Sequence, residues 1–272
     1  MSYIPLIARV ESLPPLPESV IKIETLFAKG DPNIDDVVRI IESDPVLTTD
    51  ILSKVNAPYY GFSKNIVSIL QAVTLFGSTQ IRAIVLSSAL QRDFDIDLSP
   101  YNVSTSEFSK ICSAQSELTF QWYMGIDVDL ARTITPIAFL MEIGKVLIAK
   151  DIIHNDKVEE FIDDLDKYDD VSYVENIYTM MSSAQINALI FKHLNLNDTF
   201  TDSMKYLDFE HEIPENMKEI VEALRIVRTV VNIKEQFTDN SIDNALTLLK
   251  KSPYNLDGFN RAVKRVKIKY FD

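Results

Sequence analysis

Apolar residues recur along this chain at helical intervals, and almost nowhere at the two-residue interval of a half-buried strand. In Glu18–Lys29 the residues Val20, Ile23, Leu26 and Phe27 share one stripe, and Gly30 follows where a left-handed residue ends a helix. Asn33 can cap a helix whose stripe is Ile34, Val37, Val38 and Ile41. Asp44-Pro45 reads as an N-cap followed by a first-turn proline, whose missing N–H costs nothing there. The buried face of that helix would be Leu47, Ile51, Leu52 and Val55. A helix over Ser68–Phe76 stops at Gly77, and Ser78 caps the next, which carries Ile81, Ile84, Val85 and Ser88. Residues 94–106, rich in Asp and Ser, read as a linker.

Beyond it a long helix holds Phe108, Ile111, Leu118 and Trp122, with Gln115 the polar exception in the stripe. Another is expected to start near Pro136 and run through Met141 to Ala149. The acidic stretch Val158–Val171 keeps Val158, Phe161, Ile162, Leu165 and Tyr168 at helical offsets, which makes its carboxylates a solvated face. Further helices are expected over Ser183–Leu194, Glu215–Phe237 and Ser241–Leu249. The expected fold is all-α: an N-terminal helical bundle over residues 1–95 and a larger helical unit over 96–272.

Charge narrows the partners. Asp and Glu total 40 against 27 Lys and Arg, a formal charge of -13 that repels a phosphate backbone unless basic residues gather on one face. They gather only at Arg261, Lys264, Arg265, Lys267 and Lys269, too small a footprint for nucleic acid. Phe259, Val263, Val266 and Tyr270 alternate with them at helical spacing. That predicts a C-terminal helix, with docking to a partner or to anionic lipid as the second reading. Apolar runs such as Ile81–Leu86 fall short of the ~20 residues of a membrane span, and the start lacks the pattern of a secretory signal. A single cysteine, Cys112, allows no internal disulfide. The cytoplasm is the expected location.

Catalytic patterns are missing from the sequence. Neither phosphate-loop spacing occurs, and His154, His193 and His211 are scattered outside any metal-binding motif. Cys112 lies beside an apolar stripe, which points to a buried thiol rather than a nucleophile. No catalytic residue, metal site or cofactor is expected from the residues alone.

Two stretches carry a resemblance. The first joins Leu13-Pro14-Pro15-Leu16-Pro17, Asp44-Pro45, the turn Asn56-Ala57-Pro58-Tyr59-Tyr60-Gly61, and Ala72-Val73-Thr74-Leu75-Phe76-Gly77. Their order and intervals resemble the N-terminal signature of the HDOD family. The second is Leu140-Met141-Glu142-Ile143-Gly144-Lys145, which resembles the L-H-D-I-G-K segment of HD-superfamily phosphohydrolases. There the His and Asp bind a divalent metal that activates water. Here they are Met141 and Glu142, and a thioether is a poor ligand for hard cations. The family's remaining ligand positions fall near Ile111 or Cys112, Ser182-Ser183 and Leu207-Asp208, none of them histidine.

The resemblance implies an HDOD-type fold, a bundle packed on a pseudo-HD domain. It also implies a non-catalytic regulatory protein acting in trans on signalling proteins. A nucleotide or small-molecule sensor, or a divergent phosphodiesterase, are the alternatives. Asp44, Pro45, Asn56, Tyr59, Tyr60 and Gly61 are the candidate interaction residues, although each also has a local structural job. For the two tyrosines, gluing the turn to the core outweighs ligand contact.

Overall fold

A computed structural model describes residues 4–91, 96–208, 213–250 and 256–271. Helices make up most of it. The one pairing of extended backbone among the described residues is an isolated bridge between Val231 and Gln236. The expected caps form. Asn33 accepts from Asp35 N–H, and Asp44 accepts from Val46 and Leu47 N–H at the start of the helix Pro45–Val55. Leu47, Ile51 and Val55 are fully buried, as are Val20, Ile23, Val37 and Ile41 on the preceding helices. Ile34, placed in the buried stripe by its spacing, is 43% exposed because it sits at the helix start.

Packing divides the chain into two units that are not consecutive in sequence. The first comprises Met1–Pro14, Phe94–Gln115 and Leu140–Tyr254; the second comprises Pro15–Asp93, Ser116–Phe139 and Asn255–Asp272. The expected single boundary after residue 95 does not coincide with this division. The cause lies in the long helix Thr105–Tyr123: its second half contributes Trp122 to a ring contact with Phe259, so the C-terminal helix joins the second unit.

Three further expectations change. The helix placed at Pro136 begins at Val128 and ends at Leu140, with the proline inside it. A proline within a helix leaves the carbonyl four residues earlier without its N–H. Here that carbonyl, Arg132 C=O, accepts from the Arg82 guanidinium at 3.5 Å. Arg82 is itself held by Glu24 and lies over the Phe27 ring. The helix resumes only at Gly144, so Met141-Glu142-Ile143 is a turn between two helices.

The last long helix stops at Val230 rather than Phe237, because the Asn232 side chain accepts from Lys234 and Glu235 N–H and turns the chain. Part of the expected linker is packed: Leu98 and Tyr101 are buried around a short 3-10 turn, Ser99–Tyr101, and the Tyr101 ring meets Phe161 edge-on. Phe94, the linker's first residue, lies outside the described residues.

One segment, Ile69–Leu90, is long and apolar enough by composition to cross a membrane. Gly77 interrupts it with φ 79 and ψ 156, so neither helical piece approaches the ~20 residues a span needs. Ile81, Ile84, Val85 and Leu86 are buried within the second unit.

Candidate functional site

The first unit holds a buried ionic cluster whose charged groups and Ser183 come from six segments. Glu142 comes from the turn after Leu140, and Lys145 from the first turn of the helix Gly144–His154. Glu175 lies on the helix Val171–Thr179, and Ser183 opens the helix Ser183–His193. Asp208 caps the end of Asp198–Leu207, and Arg228 lies on Glu215–Val230. Gln115 and Tyr101 complete the cluster.

Local chemistry explains the assembly. A Cβ on Gly144 would lie 2.3 Å from Ser183 C=O, so only glycine lets the two helices meet. Asn187 then donates its amide to Met141 C=O at 2.6 Å, holding the turn. Ser182 and Gln185 form a capping box that fixes the start of the helix carrying Ser183.

Lys145 Nζ is 2.7 Å from Glu175 Oε1, 3.2 Å from Glu142 Oε2 and 2.8 Å from Ser183 Oγ. Arg228 Nε donates to Glu142 Oε1 at 3.1 Å, and its Nη1 to Asp208 Oδ1. Gln115 donates to the same Glu142 Oε1 at 3.0 Å and to Val231 C=O at 2.7 Å. Glu175 also accepts from Tyr101 Oη at 3.0 Å and from Ser183 N–H at 2.6 Å. Glu142 and Glu175 have no exposed surface, and Lys145 has 1%.

Two cations thus face three carboxylates. Burial opposes ionisation of Glu142 and Asp208, yet the facing cations outweigh it, and both titrate below the usual carboxylate range. Burial would likewise weaken the Arg228 charge, but Glu142 and Asp208 hold it even more firmly than usual. Burial, then the charge of Glu175, pushes the Tyr101 phenol well up.

A divalent metal does not fit this donor set. Both oxygens of Glu142 and of Glu175 already face protein cations or hydrogen-bond donors. Met141 offers a buried thioether, and Ile111 and Cys112 are buried. Among the described residues no group of three or more His, Cys, Asp or Glu side chains could hold a metal ion. His154 is exposed, His193 bonds Leu13 C=O at 2.9 Å, and His211 lies outside the described residues.

Beside the cluster a cavity of about 570 Å³ opens within the same unit. Glu142, Lys145 and Arg228 line it from one side, Asn232, Asn240 and Asn244 from another.

The other candidate residues lie in the second unit and do not join this site. Asp44 caps its helix and accepts from Ser19 Oγ at 2.7 Å, and Pro45 is the first helical residue. Asn56 ties the turn closed: its amide donates to Leu52 and Ile66 C=O while its Oδ1 accepts from Ile66 N–H. Pro58–Tyr60 is a 3-10 turn ended by Gly61 at φ 68. Tyr60 is buried edge-on against Phe76, and Tyr59 stacks on Tyr270.

The resemblance pointed to Met141, Glu142, Ser183 and Asp208, whereas Tyr101, Lys145, Glu175 and Arg228 were not expected as their partners. Two signals were available. Gln115 broke an apolar stripe, and Glu175 sits between Val174 and Tyr178 on the buried face of its helix.

The HDOD domain profile matches residues 13–209, and the chain belongs to the HDOD family. A virulence factor from Campylobacter jejuni subsp. jejuni is similar at 27% identity and TM-score 0.61, over 98% of this chain and 99% of that one. An HDOD domain protein of unknown function from Geobacter sulfurreducens superposes with TM-score 0.69 at 16% identity, over 99% and 97%. A candidate phosphohydrolase from Shewanella amazonensis superposes with TM-score 0.64 at 17% identity, over 97% and 94%. The last two likenesses carry the fold alone. A curated relative, an uncharacterized protein of Treponema pallidum, is 29% identical over 79 residues, which is 29% of this chain and 15% of that protein's length.

Proposed function

We propose that this chain is a non-catalytic regulatory protein of bacterial signal transduction, acting in trans through protein–protein contacts. One observation carries the reading: Lys145 and Arg228 supply, from the chain itself, the positive charge that a metal supplies in a working HD site. A metal-bound hydroxide needs carboxylates free of competing cations: Glu142 Oε2 accepts no hydrogen bond but lies 3.2 Å from the Lys145 ammonium, and Glu175 Oε1 pairs with the same lysine. The excess of acid over base on the chain argues against nucleic acid as the partner.

The test is hydrolysis of cyclic dinucleotides and of bis-p-nitrophenyl phosphate with Mn²⁺, Mg²⁺ or Fe²⁺. No turnover above a Glu142→Gln control is expected. Metal-dependent turnover abolished by Glu142→Gln would overturn the reading and favour a divergent phosphohydrolase.

The cavity supports a second reading, a small-molecule sensor, because its three asparagines and Thr229 offer uncharged donors and acceptors beside the charge cluster. A ligand at 100-fold its Kd would add ~2.7 kcal/mol to stability. A thermal-shift screen of nucleotides and metabolites reads this directly, and no shift with any of them would count against it.

A further inference from the structure

We propose that the exposed apolar face of the helix Val171–Thr179 docks the basic C-terminal helix, Leu256–Tyr270, of a second copy of this chain. The inference stands apart from the question of catalysis, since neither surface includes the ionic cluster's charged groups.

Tyr173, Ile177 and Met180 are 50%, 47% and 54% exposed. Tyr173 and Ile177, four residues apart, share one side of the helix, Met180 follows as its C-cap, and Val174 and Tyr178 on the other side are buried. A single exposed hydrophobe is ordinary, but two on one face of a nine-residue helix with a third at its end make a candidate patch. Met180 adds a second observation. It ends the helix at φ 61, a left-handed conformation that glycine adopts without strain, and the chain keeps a large apolar side chain there on the surface.

Exposed carboxylates lie on the helix and connection that precede this helix. The Tyr168 ring packs on Tyr173 at 5.3 Å, and Asp164 of the helix Val158–Lys167 accepts from Tyr178 Oη, so that helix lies alongside. Glu159, Glu160, Asp163 and Asp166 on it are exposed, as are Asp169 and Asp170 in the connection.

The charge of the chain is divided unevenly. Acidic residues outnumber basic ones by twelve in the first unit and by only one in the second, together the formal -13. The difference at the chain's end comes from the helix Leu256–Tyr270. It buries Phe259, Val263, Val266 and Tyr270 in its own unit and exposes Arg261, Lys264, Arg265 and, at 57%, Ile268. Positions 261, 264, 265 and 268 fall along one face, so this helix offers a basic stripe with an aliphatic side chain in it. That is the complement of an apolar patch with exposed carboxylates on the preceding helix and connection.

Because they are different surfaces, the contact is heterologous: a reciprocal pair if the geometry closes, a longer chain if it does not.

Sedimentation velocity on the full chain, at about 20 mM and about 500 mM salt, tests the proposal. Concentration-dependent association at low salt, lost at high salt, is expected. The triple variant Arg261→Glu, Lys264→Glu, Arg265→Glu should be monomeric, as should Glu159→Lys, Asp163→Lys, Asp166→Lys. Mixing the two should restore association. Met180→Gly should weaken association at least tenfold while its melting temperature stays the same or rises, which separates docking from folding. A chain that remains monomeric at low salt, or an association untouched by both charge reversals, overturns the proposal.

Discussion

In the second unit the turn Asn56–Gly61 is held by ring packing and by side-chain amide bonds spanning ten residues or fewer. In the first unit the turn Met141–Ile143 is held by charges and donors drawn from Tyr101 to Arg228. The two turns fail differently. Apolar packing loses stability in proportion to what is removed. A buried charge network does not, because deleting one member strands its partner with almost no exposed surface.

Lys145→Met should therefore show the largest effect. It leaves Glu175 and Glu142 short of a cation and should cost about 3–5 kcal/mol in urea unfolding. Adding Glu175→Gln to it should recover part of that loss. Strict additivity of the two substitutions would break the comparison by showing that the cluster is not coupled. Tyr60→Ala removes a buried ring from the aromatic turn and should cost about 3 kcal/mol.

Acid should separate the units as well. Glu142 and Asp208 have folded pKa values below their ordinary ones, so their contribution is complete above the unfolded carboxylate range of about 4. It is lost as pH falls from there through the lowered folded values. Urea midpoints for wild type and Tyr60→Ala should fall in parallel over that window, whereas Lys145→Met should show a shallower decline. Identical slopes in all three would contradict the assignment.

Gly61→Ala forces a side chain to φ 68 and should cost about 1–2 kcal/mol. Asp44→Ala should cost least, about 1 kcal/mol, by removing a cap. Both are read by the same unfolding midpoints.

The same contrast explains what could be read from the sequence. Caps at Asn33 and Asp44, the break at Gly77 and the stripe Phe259, Val263, Val266 and Tyr270 depend on near neighbours, and spacing alone places them. The helix 128–140 was misplaced because a proline normally opens a helix, and nothing local reveals that Arg82 satisfies the carbonyl Pro136 leaves behind. The contact of Trp122 with Phe259, far along the chain, has no local signal either. Resemblance picked out Met141-Glu142 as an altered dyad. Its replacement charges could not be picked out, because Lys145 and Arg228 look like ordinary helix-surface cations until six segments converge.

The central claim is that protein side chains, and not a metal ion, neutralise the carboxylates around Glu142. Equilibrium dialysis of the purified chain against Mn²⁺, followed by elemental analysis, tests it most directly. The expected result is no stoichiometric metal in wild type. A full equivalent of metal retained per chain, lost in Glu142→Gln, would contradict it.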